Sequence, residues 1–188
     1  MKKFVILFSG LFLFGCTAFN NMTGNAYAPK TSDWVVQNTK VKEDSFRQTK
    51  RITFPSIVAR HLSNYKDITG LSAWDAPTSP YWVSVIQKPN MKDTYVIYMN
   101  IDRNDWGFYD EARAENGNKL TFISIDQQVN TGNSSATVSE FFGIQIDEAF
   151  LEKNKGRNPQ IKVFGKRDSF VIFLPDYYID GILQYMHQ

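Results

Sequence analysis

The chain has 188 residues, a length that fits one domain plus a tether. Its 21 Lys and Arg stand against 19 Asp and Glu for a net charge of +2, with no basic stripe, which argues against nucleic acid as a partner. A single cysteine excludes a disulfide framework and a cysteine metal site, so the fold must rest on its core, for which an aromatic content of 15% is ample.

The chain opens MKKFVILFSGLFLFGC. Lys2 and Lys3 form a short basic start, and Phe4 to Phe14 is apolar apart from Ser9 and Gly10. About a dozen apolar residues cannot span a bilayer as a helix, which needs roughly 20. Residues 1–15 therefore read as a cleavable secretory signal. Leu13-Phe14-Gly15-Cys16 resembles the lipobox of bacterial lipoproteins. The resemblance implies a diacylglycerol on the Cys16 thiol, cleavage by signal peptidase II before it and acylation of the new amino terminus. It also implies attachment to the membrane through that lipid. Thr17 follows where an aspartate would retain such a protein at the inner membrane, so the resemblance implies an outer-membrane anchor with the domain facing the periplasm. Residues 16–50 are rich in Asn, Thr, Ser and Lys and show no sustained period, so they read as a lipidated tether. Trp34, Val35 and Val36 are its one apolar spot, suited to a short edge strand or a partner contact.

Residues 51–188 read as a single domain. After Pro55 and Ser56, the spacing of Ile57, Val58, His61 and Leu62 predicts a short helix. Strands are expected over 81–88 and 93–102, joined as a hairpin, and over 106–114 and 119–129 around an Asn-Gly turn. The polar run NTGNSSAT reads as a loop before a strand over 138–146. Asp147 is placed to cap a short helix, EAFLEKN. A second hairpin is expected over 160–165 and 169–174, turning at Lys166-Arg167-Asp168. Ile179, Ile182, Leu183 and Met186 share one face of a C-terminal helix. Gly181 weakens that helix or lets it pack closely on a sheet. The order predicts an α+β fold, a mostly antiparallel sheet carrying a short N-terminal and an amphipathic C-terminal helix, with a β-sandwich as the alternative.

Candidate chemistry is sparse. There is no G-x-S-x-G elbow, and the two histidines, His61 and His187, lack zinc-ligand spacing. His61 reads as a packing residue and His187 as a fraying end. Asp102, Asp105, Asp110 and Glu111 cluster in IDRNDWGFYDE beside Trp106, Phe108 and Tyr109. Paired carboxylates could hydrolyse a glycan, and the aromatics could stack on sugar rings. A polar turn over core aromatics accounts for the same residues. An EF-hand is ruled out, because Trp106 and Arg113 stand where ligands belong. Asp102, Asp105, Trp106 and Tyr109 are thus the weak binding candidates. The basic run at 153–167 could meet anionic headgroups or peptidoglycan, and Tyr81, Trp82, Tyr95 and Tyr98 either line a groove or alternate between core and rim. The favoured expectation is a non-enzymatic envelope lipoprotein with a protein partner, no cofactor and no metal. The alternative is a glycan hydrolase or a sugar- or lipid-binding module.

Overall fold

The computed structural model describes residues 30–58, 79–131 and 136–188. The expected signal, Cys16, residues 16–29 of the tether, and His61 with Leu62 lie outside the described residues.

The strands follow the sequence's alternation closely in the second half of the chain. They are β1 (Lys40–Asp44), β2 (Thr49–Thr53), β3 (Ile57–Val58), β4 (Pro80–Gln87), β5 (Thr94–Arg103), β6 (Tyr109–Ala114), β7 (Lys119–Thr131), β8 (Ala136–Ile146), β9 (Gln160–Gly165) and β10 (Ser169–Phe173). Three helices accompany them: α1 (Ser32–Gln37), α2 (Glu148–Lys153) and α3 (Asp176–Met186). The sheet runs β1-β2-β4-β5-β8-β7-β6-β9-β10, with β3 beside β4. All these pairs are antiparallel. The fold is therefore mostly antiparallel sheet with a minor helical part, as the sequence predicts.

The sheet curls. Five strands lie between β4 and β10 in the order, yet the Tyr81 hydroxyl of β4 donates to the Phe173 carbonyl of β10. β7 makes the bend. Its start pairs with β6 through Leu120↔Ala112, and from Thr121 onward it pairs with β8. The concave face holds α3, whose Tyr178, Ile179, Ile182 and Leu183 are buried. Each such side chain contributes about 1.5–3 kcal/mol, which outweighs the cost of about 1 kcal/mol that Gly181 imposes on the helix. The Tyr178 hydroxyl accepts from Val83 N–H at 3.0 Å and donates to the Pro55 carbonyl at 2.9 Å. One polar atom thus satisfies two backbone groups where α3 meets β4.

Four expectations are corrected. The tether does not extend to residue 50, because Thr31–Gln188 forms one compact unit. The Thr31 hydroxyl accepts from Trp34 N–H and caps α1, and Val35 is fully buried. Trp34, Val35 and Val36 therefore dock as a helix rather than an edge strand. Ile57 and Val58 form a strand on Tyr81 and Pro80 instead of opening a helix. These β-branched residues follow the pairing offered by β4 rather than their own apolar spacing. The strand expected over 106–114 begins only at Tyr109, because Phe108 takes a positive φ of 54°. α2, in contrast, starts as expected, with Asp147 Oδ1 accepting from Phe150 N–H at 2.7 Å.

Candidate functional site

The carboxylate cluster is dispersed by the fold. Asp102 sits on β5 and accepts from the Ser139 hydroxyl on β8. Asp105 is exposed in the bend after β5, and Asp110 is exposed on β6. Glu111 is held by Arg113 at 2.6 Å and Lys119 at 3.1 Å. Hydrogen bonds from those two cations keep its carboxyl below the ordinary value, so it favours the ionised form. It is therefore poorly suited to donating a proton.

Tyr109 is a correction among the binding candidates. It is only 3% exposed, and its ring packs edge-on against Phe170 at 5.1 Å. Its hydroxyl accepts from Arg103 Nη1 at 2.5 Å, and Arg103 also bridges to Asp168. Burial pushes the Tyr109 hydroxyl up, with Arg103 opposing. Trp106 is half-buried and stacks on Phe108 at 5.9 Å. Lys166 and Arg167 lie over the Phe108 ring at 5.9 and 5.5 Å. This corner is locked from below by Glu140, which is 3% exposed. Glu140 accepts from the backbone N–H of Gly107, Phe108 and Tyr109 at 2.6, 3.2 and 3.2 Å. The segment singled out in the sequence is thus largely a structural junction.

A different constellation stands on the outer face of the sheet. The register aligns residues of β4, β5, β8 and β7 in rows. One row is Trp82, Tyr98, Gly143 and Ile123. The next is Asn100, Phe141 and Asp126, and the third is Asp102, Ser139 and Gln128. The rings of Trp82, Tyr98 and Phe141 lie 5.8, 5.9 and 6.1 Å apart, with planes within 28° of one another. Three parallel rings in a column would put the outer two nearly twice as far apart as neighbours, so these form a triangular tile. β4 and β8 flank β5, and strand spacing puts them roughly 10 Å apart. Trp82 and Phe141 are closer than that and so lean toward each other over β5. In the row beside Tyr98, Gly143 lets the Val96 side chain close onto the backbone, since a Cβ there would fall 2.8 Å from Val96 Cγ1.

Beside the tile is a shallow depression of about 330 Å³ lined by Asn100, Asp126, Gln128, Ser139 and Phe141. Three of its side chains, Asp126, Gln128 and Ser139, are held by hydrogen bonds. Asn130 Nδ2 donates to Ser139 Oγ at 2.6 Å, Ser139 donates to Asp102, and Gln128 Nε2 donates to Asp126 at 2.5 Å. A larger groove of about 540 Å³ lies between the β6–β7 turn and α2, with Lys119, Asp147, Lys153 and Arg157 in its wall. Its polar side chains are tied to the local backbone and to Glu111: Asn116 accepts from Asn118 N–H, Asp147 from Phe150 N–H, Asn154 donates to the Phe150 carbonyl, and Lys119 pairs with Glu111.

Tyr81 and Tyr95, grouped in the sequence with Trp82 and Tyr98, are core residues of the opposite face. Burial pushes both hydroxyls upward, and Glu148 adds to the effect at Tyr95. Sequence reasoning missed Phe141 and the Glu140 anchor, because their partners are distant in the chain, and Gln128, because its place beside Ser139 depends on the β7–β8 register. Strand alternation marks Phe141 as outward only once Phe142 is known to be core. His187 does not simply fray: its Nε2 lies 2.8 Å from Glu148 and 3.8 Å from Glu152. All three side chains are exposed, and a hydrogen bond between His187, just past α3, and Glu148 of α2 accounts for their approach.

No protein-family model and no solved structure matches the chain. A similarity of 23% identity over 103 residues is found to a 1,3,6,8-tetrahydroxynaphthalene synthase of Streptomyces coelicolor. It covers 55% of this chain and 27% of that synthase, so the chain spans little more than a quarter of the relative it matches.

Proposed function

We propose that this is an outer-membrane lipoprotein, anchored through Cys16, whose domain faces the periplasm and binds another envelope component without catalysing a reaction on it. The anchor rests on Leu13-Phe14-Gly15-Cys16, the lipobox-like end of the signal. The binding role rests on one observation above the others: Trp82, Tyr98 and Phe141 form a half-buried tile on the outer face of the sheet, beside a polar row already ordered by internal hydrogen bonds. Rings whose only task was core packing would sit on the concave face with Tyr81 and Tyr95. We read the architecture as α+β rather than a sandwich, because one hydrogen-bonded path links the strands and α3 fills the concave face.

The tests are separable. Cys16→Ala should abolish labelling by a palmitate analogue and release the chain from the outer-membrane fraction. A mutant still labelled would end the anchor reading. A photo-crosslinking residue at Gln128, on the rim of the depression, should trap an envelope component in living cells, and one at exposed Lys42 on β1 should not. Equal labelling from both positions would end the reading of this face as the binding face.

A further inference from the structure

We infer that the outer face binds a neutral pyranose glycan, with the Trp82–Tyr98–Phe141 tile as its floor and the polar residues of the next two rows, Asn100 with Asp126 and Asp102 with Gln128, as its rim. This deepens the proposed function and rests on it for the choice of face.

A pyranose ring presents two kinds of surface: a patch of C–H groups on one side and hydroxyls around its edge. Binding it requires apolar area for the first and oriented donors and acceptors for the second. The tile supplies the apolar area as a triangle of near-parallel rings rather than a column. The rim supplies both hydrogen-bonding types at the right place, since Asn100 and Asp126 flank Phe141 directly in register. Asn100 and Gln128 carry amides that donate and accept, while Asp102 and Asp126 accept only. Hydroxyl groups are the natural donors to those carboxylates. The Gln128–Asp126 and Asn130–Ser139–Asp102 bonds hold the rim before any ligand arrives, which lowers the ordering cost of binding. The depression, about 330 Å³, lies at the small end of ligand sites and suits one or two sugar units. Its charge selects among sugars. Among the described residues no cation lines the depression and Asp126 does, so uronates and phosphorylated sugars are disfavoured.

The experiment uses the full chain in a sugar-free polyoxyethylene detergent, with tryptophan fluorescence as the readout. The probes are a β-1,4-linked N-acetylglucosamine tetramer and a tetragalacturonate. The neutral tetramer should give a saturable change that disappears in Trp82→Phe. Phe141→Ala should weaken it about tenfold or more. Asn100→Ala, a rim change that leaves the core untouched, should weaken it as well and guards against a folding artefact in the first variant. The uronate should give no saturable change. The inference is overturned by no saturable signal up to about 10 mM of the neutral tetramer, by unchanged affinity in both Phe141→Ala and Asn100→Ala, or by uronate binding as tightly as the neutral probe. A crosslink from Gln128 to a protein, with no sugar response, would sink the glycan and leave the binding face standing. Crosslinking that does not discriminate Gln128 from Lys42 would sink both.

Discussion

Gly107 donates its backbone N–H to the carboxylate of Glu140 at 2.6 Å, across 33 positions of sequence. Phe108 and Tyr109 donate to the same group, and the left-handed turn at Phe108 is what aims the three donors inward. A carboxylate seated in successive backbone N–H groups is an anion nest built from the protein's own side chain. It offsets the strain of a non-glycine residue at positive φ, of order 1–3 kcal/mol. In Glu140→Gln, one oxygen becomes an NH2, so at least one buried backbone N–H loses its acceptor. The expected cost is roughly 1–3 kcal/mol, or a Tm drop of about 3–10 °C. Calorimetry checks it, and a Tm within one degree of wild type would contradict the nest.

Tyr178→Phe tests how α3 is fastened to the sheet. The hydroxyl bonds both Val83 N–H and the Pro55 carbonyl, and Phe leaves both without a partner inside the fold. Each unsatisfied buried group costs roughly 1–3 kcal/mol. The urea midpoint should fall with the slope unchanged, because the exposed area on unfolding stays the same. A midpoint equal to wild type would mean that water replaces the hydroxyl.

Gly181→Ala tests the contact between α3 and α1. Alanine would gain about 1 kcal/mol of helix propensity in isolation. Its Cβ would, however, lie 2.5 Å from Val35 Cβ and 2.8 Å from the Ser32 carbonyl oxygen. The backbone of α1 cannot yield cheaply, so α1 must move away. The expected net loss is about 1–3 kcal/mol. Amide exchange across residues 33–38 should accelerate more than exchange in β5. Uniform acceleration throughout the domain would point to global destabilisation instead.

These contacts also mark what was readable in the chain. β4, β5, β8, β9 and β10 alternate apolar and polar residues between turn signals, and α3 shows its stripe, so local pattern was enough. α1, β1 and β2 hide within a polar run. β1 has no buried residue at all, and its position follows from pairing with β2, not from an apolar face. β3 shows the opposite failure, a helix-like spacing overruled by pairing with β4. At the site, Asp102 was read as one of four clustered carboxylates, whereas its partner is Ser139, 37 positions away. Tyr109 stands beside Trp106 in the sequence as a weak binding candidate or a core ring, and the turn at Phe108 sends it into the core. Proximity in sequence predicts proximity in space only where no turn intervenes.

Glu111 carries the pH prediction. Arg113 and Lys119 hydrogen-bond its carboxylate and hold its pKa below the ordinary 4.5. A depressed folded-state value means that the group stabilises the fold at pH above its unfolded value. That contribution fades as pH falls from the unfolded value through the lower folded one. Around neutral pH it is fully present, and raising the pH further adds nothing. Because the side chain is solvent-accessible, salt should screen the effect. An NMR titration of the Glu111 carboxyl carbon should show a midpoint below 4.5 in wild type at low salt. The midpoint should rise in Arg113→Gln and rise again in the double variant with Lys119→Gln. If both variants titrate as wild type does, the hydrogen bonds from Arg113 and Lys119 do not persist in solution.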